Sequence, residues 1–147
     1  MSAMLENITS ANATLVLVAD MIIPAGVPLM HFSTDQSFSQ GETTLVENRM
    51  GVDGNMAAGW VPSIKTVTIT LEAASPSLYF LDTLAQAMER NRTIYECTLV
   101  ATIPSIRKIY TWTKGVLKSG TLVSSGKRIL DPTTWTFDFA ELAIQGF

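Results

Sequence analysis

The sequence predicts a mainly β fold with one helix, built as an antiparallel β-sandwich or barrel. Three runs predict it. Across Ile64 to Leu71, Val67, Ile69 and Leu71 alternate with Thr66, Thr68 and Thr70. Across Thr133 to Ala140, Trp135, Phe137 and Phe139 alternate with Thr134, Thr136 and Asp138. This period of two places apolar side chains on one face and polar ones on the other. Between them, from about Ser77 to Arg90, Leu78, Leu81, Leu84 or Ala85, and Met88 recur at steps of three and four, the spacing of a helical stripe.

The remaining elements follow in chain order. Ala13 to Val18 reads as a first strand, rich in the β-branched residues that favour a pleated surface. Pro24, Gly26 and Pro28 punctuate the next stretch, which suits turns or an edge strand. Residues 29–39 read as a further strand that contains the single histidine, His31. Residues 40–60 read as a long loop, with Gly41, Gly51, Gly54, Gly59 and the turn-forming Asp53-Gly54-Asn55. That loop carries Leu45, Val46, Met50, Val52, Met56 and Trp60, too apolar for disorder. A segment of this length is functional, disordered or an unrecognised hairpin. Ser75 is a fitting N-cap for the helix and Pro76 then falls at its first position. Asp82 near the start and Arg90 and Arg92 at the end suit the helix dipole. Residues 93–103 and 106–118 read as two strands joined by a tight turn at Pro104-Ser105, and Gly120 and Gly126 bound the last connection.

The 147 residues suffice for one domain, 1–147, with the loop at about 40–60 as its one long insertion. Charged residues make up 16% against the usual figure of about 25%, and mean hydropathy is +0.26. A small chain with so much apolar surface is a candidate for burying part of it against other subunits. Residues 1–60 hold six acids (Glu6, Asp20, Asp35, Glu42, Glu47, Asp53) against Arg49, while residues 61–147 hold seven acids and nine bases. Oppositely biased halves suit head-to-tail stacking. The net charge of −3 disfavours a phosphate-gripping patch.

The supply of chemistry is thin. One cysteine, Cys97, excludes an internal disulfide and a cysteine-based metal site, and its strand-like surroundings predict a buried thiol. His31 would have to serve a catalytic triad alone, and no G-x-S-x-G motif is present. Gly120 to Arg128 imitates a phosphate loop but spaces its glycines one residue too far and ends in Lys127-Arg128. Asp53-Gly54-Asn55 lacks the spacing of a calcium loop, and Glu42, Glu47 and Asp53 read as a solvated face. Trp112 and Trp135 read as core. No catalytic, cofactor or metal site is expected. Leu15 to Met30 is too short and interrupted for a membrane-spanning helix, and no positively charged leader is visible, so the three N-glycosylation sequons read as chance.

The order of motifs carries a resemblance. Met50-Gly51-Val52-Asp53-Gly54-Asn55 is followed by the strand Val67 to Leu71, then Ser75-Pro76-Ser77 opening a helix, a Pro104-centred hairpin with Trp112, and the closing Trp135-Thr136-Phe137. From about residue 10 to 140 this resembles the tail tube protein family of contractile-tailed bacteriophages. The resemblance implies a small β-sandwich with a flanking helix. Six copies form a ring whose strands join into one barrel, and rings stack into a tube that carries DNA. It implies a virion protein assembled in the host cytoplasm, with the tail sheath, baseplate and tape-measure proteins as partners and no cofactor. Under it, Leu45, Val46, Met50, Val52, Asp53 and Met56 are candidates for contact between rings, and Thr66, Thr68 and Thr70 for the channel wall. A baseplate tube initiator is the alternative within the same particle, and a monomeric carbohydrate- or protein-binding sandwich the alternative outside it.

Overall fold

The computed structural model describes residues 13–20, 23–29, 38–123, 125–126 and 128–146. Its main sheet has seven strands, all pairings antiparallel: β1 (Thr14–Ala19), β2 (Ile23–Leu29), β3 (Phe38–Gln40), β6 (Lys65–Leu71), β7 (Cys97–Ile103), β8 (Lys108–Gly120) and β9 (Thr133–Gly146). The spatial order is β2-β1-β7-β8-β9-β6-β3, and the sheet curls into a half-barrel. A second sheet consists of β4 (Val46–Met50) and β5 (Met56–Trp60). The helix α1 runs from Leu78 to Asn91. The mainly β architecture with one helix is the one the sequence predicts.

The alternation read in β6 and β9 sets the core. Val67, Ile69 and Leu71 pair with Phe137, Trp135 and Thr133, and all six side chains are buried on one face. Leu15, Leu17, Leu99, Ala101 and Cys97 extend that face across β1 and β7. Leu81 and Leu84 of α1 close over it. Each such Leu or Phe contributes about 1.5–3 kcal/mol when fully buried. The cap differs from the expected one: the helix starts at Leu78 with Ser77 as its N-cap, and Ser75 and Pro76 form the turn before it, where the Ser75 hydroxyl accepts the Ser77 N–H at 3.3 Å and its carbonyl accepts the Leu78 N–H at 3.3 Å. The Ser77 hydroxyl in turn donates to the Pro28 carbonyl at 3.0 Å, fastening the helix start to β2.

Several boundaries differ from expectation. The Pro/Gly-punctuated stretch is strand β2, at the sheet edge, where proline removes no interior ladder bond. β7 starts at Cys97, because the helix ends in left-handed Arg92 and an irregular segment follows. β9 runs on to Gly146, six residues beyond the aromatic alternation, paired throughout with β8. The segment read as a loop is a correction: it is the β4–β5 hairpin. His31 and most of the strand expected at 29–39 lie outside the described residues.

Candidate assembly interface

The turn of the hairpin is built by Gly51-Val52-Asp53-Gly54-Asn55. The Asp53 carboxylate accepts the Asn55 backbone N–H at 3.1 Å and its side-chain amide at 2.9 Å. Those hydrogen bonds hold the Asp53 carboxyl below its ordinary pKa. Gly54 sits at φ +86°, where an L side chain is strained, and a Cβ on Gly51 would lie 2.7 Å from Asp53 Oδ1. The Gly51 N–H closes the turn on the Asn55 carbonyl at 2.8 Å.

Register then sorts the side chains. Val46 pairs with Trp60, Asn48 with Ala58 and Met50 with Met56 on one face; Glu47 pairs with Gly59 and Arg49 with Ala57 on the other. The hairpin is an amphipathic ribbon, apolar on one side apart from Asn48. Its apolar side is uncovered: Trp60 is 74% exposed, Met50 64% and Met56 61%. A two-stranded hairpin is marginal alone in water, and a contiguous exposed apolar face marks a site of association.

Of the residues singled out from sequence, Val46, Met50 and Met56 share this face. Val52 and Asp53 form the tip, and Leu45 sits at the base, its carbonyl accepting the Val61 N–H at 3.1 Å. Trp60, the largest apolar group of the ribbon, was not among them. Counting pairs outward from the Asp53-Gly54 turn sets it opposite Val46, a signal present in the sequence.

Thr66, Thr68 and Thr70 lie on the face of β6 away from the core, paired with Asp138, Thr136 and Thr134. The Thr66 hydroxyl donates to Asp138 Oδ1 at 2.8 Å, and Lys118 approaches the other oxygen at 4.0 Å. Thr98, Val100 and Thr102 on β7 and Thr111 on β8 continue this hydroxyl-and-methyl surface. Lys114 and Glu141 form an exposed ion pair at 3.0 Å, which raises the lysine and lowers the carboxyl. Among the described residues no three His, Cys, Asp or Glu side chains gather as a metal site. Cys97 is buried and its thiol is pushed up to about 11.

No curated protein matches this sequence. Solved structures do share the fold. The chain is similar to one from the anti-feeding prophage baseplate (TM-score 0.62, 14% identity, 99% of this chain and 98% of that one). It is similar to one from the anti-feeding prophage tube-terminating cap (TM-score 0.60, 12% identity, 100% and 96%). A third match comes from the sheath-tube complex of an extracellular contractile injection system (TM-score 0.59, 10% identity, 90% and 88%). Residues 6–143 match the family model described as tail fiber protein gp32, and the chain belongs to that family.

Proposed function

We propose that this chain is a non-catalytic structural subunit of a contractile tail, whose copies associate six to a ring and stack into a tube around a channel. The observation that carries this reading is the β4–β5 ribbon, which leaves Val46, Met50, Met56 and Trp60 exposed. The open half-barrel supports it, because among the described residues no strand pairs with the outer edges of β2 and β3, which suits pairing with strands of neighbouring copies. On the β2 side Pro28 offers no N–H and its carbonyl already accepts the Ser77 hydroxyl, so a neighbour pairs along the rest of that strand. The face carrying Thr66, Thr68 and Thr70 then lines the channel. Of the carboxylates on β9, Asp138 is engaged by Thr66 and Lys118 and Glu141 by Lys114, which leaves DNA phosphates few free cations to bind. DNA passes without specific recognition, and the sheath, baseplate and tape-measure proteins are the other partners in the virion tail.

Light scattering after size exclusion, with negative-stain imaging, tests this on the purified chain. Rings or tubes are expected; a strict monomer at millimolar concentration overturns it. Single rings in place of long tubes assign the chain to a ring that starts or ends the tube.

A further inference from the structure

The β4–β5 ribbon is an excursion from the main sheet. The chain leaves β3 at Gln40, its last residue, and rejoins the sheet in β6 at Lys65, its first. Two short stems, residues 41–45 and 61–64, carry the ribbon. All ten residues of β4 and β5 are exposed, so side-chain packing does little to fix the ribbon's angle to the sheet.

Each end of the excursion holds a side chain that bonds in two directions. At the first end, Trp112 Nε1 donates to Gln40 Oε1 at 2.7 Å, and Gln40 Nε2 donates to Thr43 Oγ1 at 3.0 Å. The chemistry orients the amide. An indole N–H only donates, so the amide oxygen faces it and the amide nitrogen points to the stem. Trp112 is buried in the core, where its N–H requires an acceptor, and this makes it a fixed anchor. At the second end, Lys65 Nζ donates to the Ser63 carbonyl at 3.0 Å and to the Ala140 carbonyl at 3.3 Å. One bond again reaches the stem and the other the sheet. The two anchors lie close together, because Trp112 pairs with Leu142, two residues along β9 from Ala140. Both stems are thus fastened to one patch of β8 and β9, and the Val61 N–H joins them at the base of the ribbon by its bond to the Leu45 carbonyl.

We propose that Gln40 and Lys65 are positioning residues, two polar clasps that hold the ribbon at one angle to the main sheet in the isolated chain, before any neighbour binds. The clasps belong to the free chain; their consequence for association rests on the self-association proposed above. A ribbon already held in place loses less conformational freedom when its exposed apolar face is buried, and association is correspondingly tighter. Without the clasps the two stems would have to be ordered at that step.

Single-molecule energy transfer on the full chain tests the clasps at picomolar concentration, where the chain is free of neighbours. Dyes are placed at Val52→Cys on the exposed ribbon tip and at Glu89→Cys on the exposed side of α1, and the native Cys97 is buried and stays unlabelled. The parent gives one narrow distribution of transfer efficiency. Thr43→Val and Lys65→Met each remove one clasp, leave the bond between Trp112 and Gln40 in place, and broaden the distribution. The double variant broadens it further with an unchanged far-ultraviolet circular dichroism spectrum. Gln40→Glu keeps it narrow, because a carboxylate accepts both the indole N–H and the Thr43 hydroxyl. A double variant as narrow as the parent overturns the proposal, and so does a parent already as broad as the double variant. By light scattering the double variant associates about tenfold more weakly. Broadening with an unchanged assembly curve overturns the effect on association and leaves the clasps standing. A parent that never assembles overturns the self-association reading, and the energy-transfer result alone then decides the clasps.

Discussion

Gly115 and Phe139 face each other across the β8–β9 ladder, and the Phe139 ring fills the space above the glycine. A Cβ added at residue 115 would lie 2.0 Å from Phe139 Cδ1. Gly120 and Trp135 repeat the relationship five residues along, with 2.3 Å to Cε3. Two large aromatic side chains thus lie flat on backbone that must carry no side chain.

Gly115→Ala is therefore expected to lose stability, because the buried Phe139 must leave its rotamer or β8 must shift. Overpacking of this kind costs about 1–3 kcal/mol, read as a lower urea midpoint. Gly59→Ala in the ribbon is the control: nothing lies within 4 Å of its added Cβ, and no change beyond about 0.5 kcal/mol is expected.

The two faces of the main sheet are expected to respond oppositely to charge. Leu81→Asp places an unpaired carboxylate in the core and costs several kcal/mol, about 3 or more, by chemical denaturation. Thr68→Lys, on the face away from the core, leaves the far-ultraviolet circular dichroism and the midpoint close to those of the parent. Loss of folding in Thr68→Lys would reverse the assignment of faces.

Trp60→Ser separates stability from association. The side chain is 74% exposed, so the monomer midpoint moves by less than about 0.5 kcal/mol. Assembly, followed by light scattering against concentration, is expected to weaken at least tenfold. An unchanged assembly curve would remove the ribbon from the interface.

Cys97 supplies a pH test. Burial raises its thiol to about 11, from an ordinary value of 9.0 that the unfolded chain keeps. The unfolded state therefore releases its proton first as pH rises. The contribution to stability is complete below pH 9 and declines between pH 9 and about 11. The native protein is expected to resist a thiol reagent at pH 8 and to react fully in denaturant. Rapid native labelling at pH 8 would contradict the burial.

The parts of the fold legible in the sequence are those whose burial is written into a local period. β6 shows it with alternating valine, isoleucine and leucine, β9 with three aromatic residues, and α1 with a leucine stripe behind Ser75-Pro76. The ribbon reads as a loop in sequence because both of its strands are exposed on both faces. Glu47, Asn48 and Arg49 stand where a buried strand would alternate, and Ala57, Ala58 and Gly59 carry little side chain. Its apolar face exists only in register, through pairs such as Val46 with Trp60. The last six residues of β9 escape the same reading: beyond Ala140 the strand is held by pairing with β8, with no further aromatic alternation.

By itself the sequence determined the composition of each surface: which segments are apolar on one side, where Gly and Pro interrupt them, and that no catalytic or metal constellation was to be expected. Only the tertiary structure decided which surfaces are covered. The strand order β2-β1-β7-β8-β9-β6-β3 joins residues far apart in the chain, such as Thr14 with Thr102 and Lys65 with Phe139, and no local period encodes such pairings. Covering is a matter of reach: one helix of fourteen residues seats on a longer sheet, where Leu81 and Leu84 seal the core, while both strands of the ribbon stay exposed.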